Sequence, residues 1–428
     1  MSNMIPAAMT WQRVTAQHRR RLPASFGFVL SLAPVLSLAP VLAFVISLSC
    51  LPAYGAGKGI NITIHYIEKK VKRPPTLSNL TAPPKDNTLQ GARLGLRDNQ
   101  TTGRFLNHKY QLHEIIIPAG ADFRSEVAKR LKADPARFII ANMPADDLLA
   151  LADSPEAKGA LIFNVAARDT RLRNGDCRAN LLHTIPSRKM LADALMQYLV
   201  KKRWTKLFLV TGAKPADKLY GKAIRGAIKK FHTRLVAAKP WLLSADIRRT
   251  ASAEVPVFTQ GPDYDVLIVA DEAGDFGPYL RHHTWLARPV AGTQGLTPTT
   301  WSPVVEQWGA AQLQSRFKQL AGRAMTALDF AAWGAVRVIG GAVTRVNSGD
   351  QQKIVSYIHN PKHKFAMYKK VGLSFRPWNG QLRQAIPLVN SDAVVALAPL
   401  KGFLHQRSEL DTLGLDEPEC KCRHRWKK

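Results

Sequence analysis

Between residues 60 and 292 the chain repeats one pattern: a short run of β-branched and aromatic residues, a loop, and a stretch with apolar residues at helical spacing. "INITIHYIE" (60–68) is the first run, a helix is expected at about 88–100, and the turn "TTG" then leads to the strand "YQLHEIII". "DFRSEVAKRL" sets Phe123, Val127 and Leu131 four apart on one helical face, and "ARFIIANM" reads as a short buried strand. The helix "ADDLLALADS", the strand "GALIFNV", a helix from the N-cap Ser187, the strand "KLFLVTG", a helix at about 217–232 and strands at "DVLIVAD" and "RPVAGT" continue the rhythm. A parallel pair needs a crossover, so this alternation predicts an α/β protein with parallel sheets covered by helices on both faces. A chain of 428 residues is long for one such sheet, so two Rossmann-like lobes joined by a hinge are expected, with a ligand cleft where the carboxyl ends of their strands meet.

Residues 1–55 differ from the rest. Arg13, Arg19, Arg20 and Arg21 precede an apolar run from about Phe26 to Leu51 that repeats "SLAPVL" at 31–36 and 37–42, and no acid occurs among them. This reads as a secretory signal peptide cut between Gly55 and Ala56, after the small-residue pattern Ala53-Tyr54-Gly55, and as export to the periplasm. An uncleaved membrane anchor is the alternative, opposed by Pro34 and Pro40 within the run. Lobe 1 is then expected over 56–187 with about 304–372, and lobe 2 over 188–303 with about 373–428. The late part adds helices at about 305–320 and 326–345, a hairpin turning at Asn379-Gly380 and the strand "AVVALAPL".

Of four cysteines, Cys50 would leave with the leader. Cys177, Cys420 and Cys422 would face an oxidising compartment, where a bridge from Cys177 to the tail is expected. Cys422 is favoured over Cys420 as its partner, and three thiols are the other possibility.

The formal charge of +30 favours anionic partners. The basic residues are spread along the whole chain and no nucleic-acid motif occurs, so a nucleic-acid role is not expected. No phosphate-binding glycine loop, HExxH, GxSxG or kinase set is present, and the histidines show no metal spacing, so neither an enzyme nor a metal protein is expected. Asp271 and Glu272, at the end of "DVLIVADE", have the chemistry of an acid/base pair but equally suit a binding cleft.

The loops that should face the cleft carry hydrogen-bonding and aromatic groups. Arg168 and Arg178 flank the end of "LIFNV", and His183 and Thr184 precede the crossover helix. Tyr220 follows "LFLVTG", and Thr293, Trp301, Glu306 and Trp308 follow "RPVAGT". Arginine grips carboxylates bidentately and tryptophan stacks on planar rings, so these residues, with Asp271 and Glu272, suit a flat, multiply charged anion. Arg171 and Arg173 are expected in solvent, and Trp204 and Trp333 in the core.

The order of elements resembles the periplasmic solute-binding proteins of the branched-chain amino acid transporter type. The likeness is carried by "LQGARLGLRDNQTTGRFLNHKYQL", by "LLHTIPS" before the crossover and by "YGKAIRGAIKKF" after the next strand. "EKKVKRPPTLSNL", "DCRANLLHTIPSRKMLADAL" and "WGAAQLQSRF" are similar to a branch associated with pyrroloquinoline quinone (PQQ)-dependent alcohol oxidation. The resemblance implies a type I periplasmic binding fold, a monomer, no catalytic cofactor, and an inner-membrane ABC permease and ATPase as partners. It also implies PQQ or a related anionic aromatic as the bound ligand. The alternatives are an amino acid or alcohol-derived carboxylic acid, or a role as partner of a periplasmic PQQ-dependent dehydrogenase. One departure weighs against the amino acid: where those binders carry a serine-rich loop, this chain has "NVAARDTRLRN".

Overall fold

The β-branched runs pair into two parallel sheets in a computed structural model that describes residues 59–72, 82–242 and 247–422. The expected leader (1–55) and residues 73–81 of the proline-rich segment lie outside the described residues. The first sheet takes β1 (Ile60–Lys69), β2 (His108–Ile117), β3 (Phe138–Asn142), β4 (Leu161–Asn164) and β5 (Leu181–His183) in the order β2-β1-β3-β4-β5. The second takes β6 (Lys206–Thr211), β7 (Arg234–Pro240), β8 (Val266–Ala270) and β9 (Val290–Gly292) in the order β7-β6-β8-β9. Both sheets thus reverse direction beside their first strand, at β1/β3 and at β6/β8, and such a reversal opens a crevice at the carboxyl ends.

Along β1 the alternation of side chains sends Ile62, Ile64 and Tyr66 into one core and Ile67 into another. The first core is covered by α1 (Leu89–Leu106), α8 (Ala310–Ala321), α9 (Ala327–Val346) and α10 (Gln351–His359), the other by α2 (Phe123–Ala133) and α3 (Ala145–Ala152). On the second sheet α4 (Arg188–Lys201) and α5 (Pro215–Lys230) cover one face, and α6 (Ile247–Phe258) and α7 (Gly277–Leu280) the other.

The small residues of α1 serve close packing. A Cβ at Gly91 would lie 2.0 Å from the Asp329 carbonyl oxygen on α9, and one at Gly103 would lie 2.5 Å from the His108 oxygen on β2. "TTG" is therefore helix rather than turn, and the reversal is made by Asn107 at φ 54°.

The chain runs three times between the two sheets. The first passage follows β5, the second follows the short β10 (Thr297–Pro298), and the third follows a hairpin of β11 (Ser374–Phe375) and β12 (Leu382–Arg383). That hairpin turns through residues 376–381, with Gly380 at φ 68°, and not through a two-residue Asn379-Gly380 turn. Phe375 and Leu382 pack in the first core, so the third passage falls near Gln384 rather than near 373. β13 (Ile386–Val389) and β14 (Val394–Ala398) then pair antiparallel beside β10 on the second core.

Buried polar groups tie the passages together. The Gln384 side chain donates to the Thr184 carbonyl at 2.7 Å and accepts from the Thr300 hydroxyl at 2.5 Å, while the Lys369 ammonium donates to the Thr300 and Ala385 carbonyls. Burial pushes the Lys369 pKa down to about 7. Between pH 7 and 10 the unfolded chain therefore holds one more proton at this site than the folded one, and stability rises with pH by up to about 1.4 kcal/mol per unit from this group. Urea unfolding at pH 7 and pH 9 is expected to show the rise in the wild type and its loss in Lys369→Met.

Cys177 is bonded to Cys422, a sequence separation of 245, which pins the end of the described chain to the loop after β4. The Cys420 sulfur lies 3.4 Å from the Arg173 carbonyl oxygen.

Candidate functional site

The loop after β4 is shaped from within. Asn164 accepts from the backbone N–H groups of Ala166 and Ala167 and donates to the Ala167 carbonyl, folding the chain sharply at the strand end. Arg173 holds the fold from below: its guanidinium donates to the carbonyls of Ala167, Asp169 and Ile185 and to the Gln381 side chain. Only 2 % of Arg173 is exposed, so the expectation of a solvated side chain is corrected; it is a buried clamp. Arg171 pairs with Asp146 and Asp176 at the surface. The loop so held delivers Arg168, whose carbonyl accepts from the first N–H of α4 at 3.0 Å.

On the facing strand end Asp217 accepts from the Lys214 and Ala273 N–H groups, fixing the turn after β8. This presents Glu272 to the loop of the first sheet. The Arg188 guanidinium lies 2.6 Å from one Glu272 oxygen and 2.9 Å from Asp169, while Arg168 stands 3.9 Å from the other Glu272 oxygen, too far to hydrogen-bond. That second oxygen is buried without a hydrogen bond, as is the Tyr220 hydroxyl, and both lie within electrostatic reach of Arg168. Burial, then the Glu272 charge, pushes the Tyr220 phenol up, so it remains a neutral donor.

Of the residues expected at the cleft, Arg168, Tyr220 and Glu272 therefore come together. Others are near but engaged in structure. Asp271 accepts from the N–H groups of Asp275, Phe276 and Gly277, which caps α7 and leaves it no acid/base part. Thr293 accepts from the Asp271 N–H and donates to the Val269 carbonyl. Thr184 donates to the Ala331 carbonyl on α9. His183 is buried beside Asn164, and desolvation together with the Arg173 charge lowers its pKa well below the usual imidazole value, so it carries no charge for an anion.

Four expected residues are elsewhere. Arg178 precedes β5 and so sits at the amino edge of the sheet, where it pairs with Asp153 at 2.7 Å and holds that carboxyl below its usual range. Trp301 stacks on Phe330 in the first core, centroids 4.5 Å apart. Glu306 is exposed at the start of the turn Gln307–Gly309, and Trp308, in that turn, faces a groove on the outer helical layer. Arg188 and Asp169 were not expected; Arg188 as first residue of a helix and Asp169 in a polar loop give no sign in sequence of facing a second sheet.

Among the described residues one group has metal-ligand character: His65, His113 and Asp134, drawn from β1, β2 and the end of α2. Both imidazoles already meet the same Asp134 oxygen, at 2.8 and 2.5 Å, while the His65 Nδ1 is buried without a hydrogen bond. They lie at the edge of the first sheet, apart from the cleft.

Residues 81–251 match the model of the periplasmic binding protein family. No curated protein sequence matches the chain. Among solved structures, it is similar to a branched-chain amino acid ABC transporter periplasmic ligand-binding protein from Burkholderia xenovorans, with 15 % identity over 79 % of this chain and 95 % of that one and a TM-score of 0.61. A periplasmic binding protein from Burkholderia mallei gives 15 % identity, 86 % and 99 % coverage and a TM-score of 0.59. A solute-binding protein of an ABC transporter from R. palustris, solved with benzoate, gives 11 % identity, 85 % and 99 % coverage and a TM-score of 0.59. The fold is thus the type I periplasmic binding fold.

Proposed function

We propose that the chain is the exported solute receptor of an ABC importer, delivering a small carboxylate from the periplasm to an inner-membrane permease and its ATPase. The observation that carries this reading is the trio Arg168, Tyr220 and Glu272 on facing strand ends. Arg168 lacks a hydrogen-bonded carboxylate, which a ligand carboxylate would supply, with the Tyr220 hydroxyl as a second donor. The open Glu272 oxygen asks for a donor on the same ligand, an ammonium or a ring N–H. The two halves of the trio already stand together, so the lobes would part to admit the ligand and reclose with both halves on one molecule, a hinge motion about the three passages. The match to the family model and the benzoate and amino acid named for the similar proteins support a carboxylate of this size.

PQQ is the specific ligand in this reading. It carries carboxylates and a pyrrole N–H, and the motifs around 68–80, 176–195 and 308–317 resemble the branch associated with it. With Trp301 in the core and Arg178 at the far edge, its remaining carboxylates would be met by solvent and not by a second arginine. Calorimetric titration of the purified protein with PQQ, benzoate and leucine tests the proposal. Saturable binding of at least one of them at micromolar ligand is expected, PQQ being tightest. Leucine or benzoate binding in the absence of PQQ binding would discard PQQ, and no binding of any carboxylate would discard the receptor reading.

A further inference from the structure

A cavity of about 760 Å³ opens on the outer helical layer of the first sheet, where residues 364–372 fold over α1, α8 and α9. It is distinct from the cleft. α1 and α9 start side by side, since the Thr88 N–H donates to Asp329, and Asp98 lies nine residues into α1, roughly 14 Å along its axis. Trp333 and Arg337 lie six and ten residues into α9, either side of that level.

The cavity carries more positive charge than its surroundings neutralise. Asp98 is its one carboxylate, and it already accepts from Arg316 at 3.1 Å and from the Trp333 indole N–H at 2.9 Å. Arg337 has a neutral partner, the Asn99 amide oxygen at 2.5 Å, and the Arg316 Nε is buried with no partner. Lys364 and Lys370 stand exposed at the rim. Arg337 is half-buried with only a neutral partner, and Arg316 shares its one carboxylate with the Trp333 indole, so an anion placed between the two arginines would gain a charged partner from both.

Its walls are aromatic. Trp333 and Tyr368 lie 5.6 Å apart at 31°, and Trp308 contributes a ring that is 39 % exposed although large and apolar. Trp308, Tyr368 and Lys370 all hold left-handed backbone, at φ 57°, 51° and 69°. Non-glycine residues rarely adopt it, so three around one cavity show that the local fold holds these side chains in place against backbone preference. The volume fits a molecule of one to three rings.

We infer that this cavity is a second binding site, for a planar aromatic carboxylate whose ring lies against Trp308 and Tyr368 and whose carboxylate meets Arg316 and Arg337.

Benzene-1,2,4-tricarboxylate is the probe, titrated calorimetrically and by tryptophan fluorescence into the wild type, Arg168→Gln, Arg337→Gln and Trp308→Leu. A binding event that persists in Arg168→Gln, weakens at least tenfold in Arg337→Gln and loses its fluorescence change in Trp308→Leu is expected. The aliphatic propane-1,2,3-tricarboxylate is expected to bind at least tenfold more weakly. The proposal is overturned if Arg168→Gln shows no binding at millimolar probe, or if binding there is unchanged by adding Arg337→Gln and Trp308→Leu. Trp308 is at the surface, so its variant retains a readout if Arg337→Gln fails to fold. Cleft binding is weakened by Arg168→Gln and untouched by Arg337→Gln and Trp308→Leu, so failure of the receptor reading leaves this result separately legible.

Discussion

Asp411→Asn is expected to cost about 3–5 kcal/mol of stability, the range for removing one partner of a buried ion pair. Asp411 is fully buried and accepts from the Nε of both Arg376 and Arg383, each at 2.8 Å. Arg376 also donates to the carbonyls of Leu410, Leu413 and Leu415, so the carboxylate is the keystone that fastens residues 409–415 to the hairpin β11–β12. Its loss leaves two buried guanidinium groups sharing no anion, next to the third passage between the lobes. Urea unfolding followed by circular dichroism measures the change. Asp153→Asn is the control: its pair with Arg178 is half exposed, and a loss below about 1 kcal/mol is expected there. Equal effects of the two substitutions would contradict this reading of the buried network.

Cys177→Ser is expected to lower stability by about 2–4 kcal/mol, and reduction of the wild type by a similar amount. The bridge closes a loop with a sequence separation of 245, so breaking it returns much freedom to the unfolded chain. It also frees the tail from the loop that carries Arg173, since the Lys421 N–H donates to the Asn174 side chain beside it. Thermal unfolding with and without reductant checks the value, and a midpoint indifferent to reductant in the wild type would refute it. The bridge fits a protein that works in an oxidising compartment, as the receptor reading requires.

The succession of strands and helices along the chain follows from patterns that local sequence carries: β-branched runs, helical spacing of apolar residues, and N-caps such as Ser187, which accepts from the Met190 N–H. β7 and α10 gave no such signal. β7 is an edge strand with most residues half-buried, and α10 is short with only Ile354 and Ile358 buried. Gly103 was misread because a glycine required for close approach looks, in sequence, like one required for a turn.

In the cleft, position at a strand end was legible and the direction of the side chain was not. Arg168, Tyr220 and Glu272 follow strand ends and meet. Asp271 also follows one, but its carboxylate turns back onto the N–H groups of its own loop. Arg173 is invisible from spacing because one of its acceptors, Gln381, is 208 residues away. Arg178 shows that an arginine close to the right strand in sequence can belong to the opposite edge of the sheet.

The central claim is that a carboxylate is held between the lobes by Arg168. Calorimetry of wild type and Arg168→Gln, with the tightest carboxylate that the cleft accepts, tests it most directly. The loss of one buried charge-assisted partner predicts at least a tenfold weaker dissociation constant in Arg168→Gln at unchanged thermal stability of the free protein. An unchanged dissociation constant would place the ligand elsewhere and contradict the account.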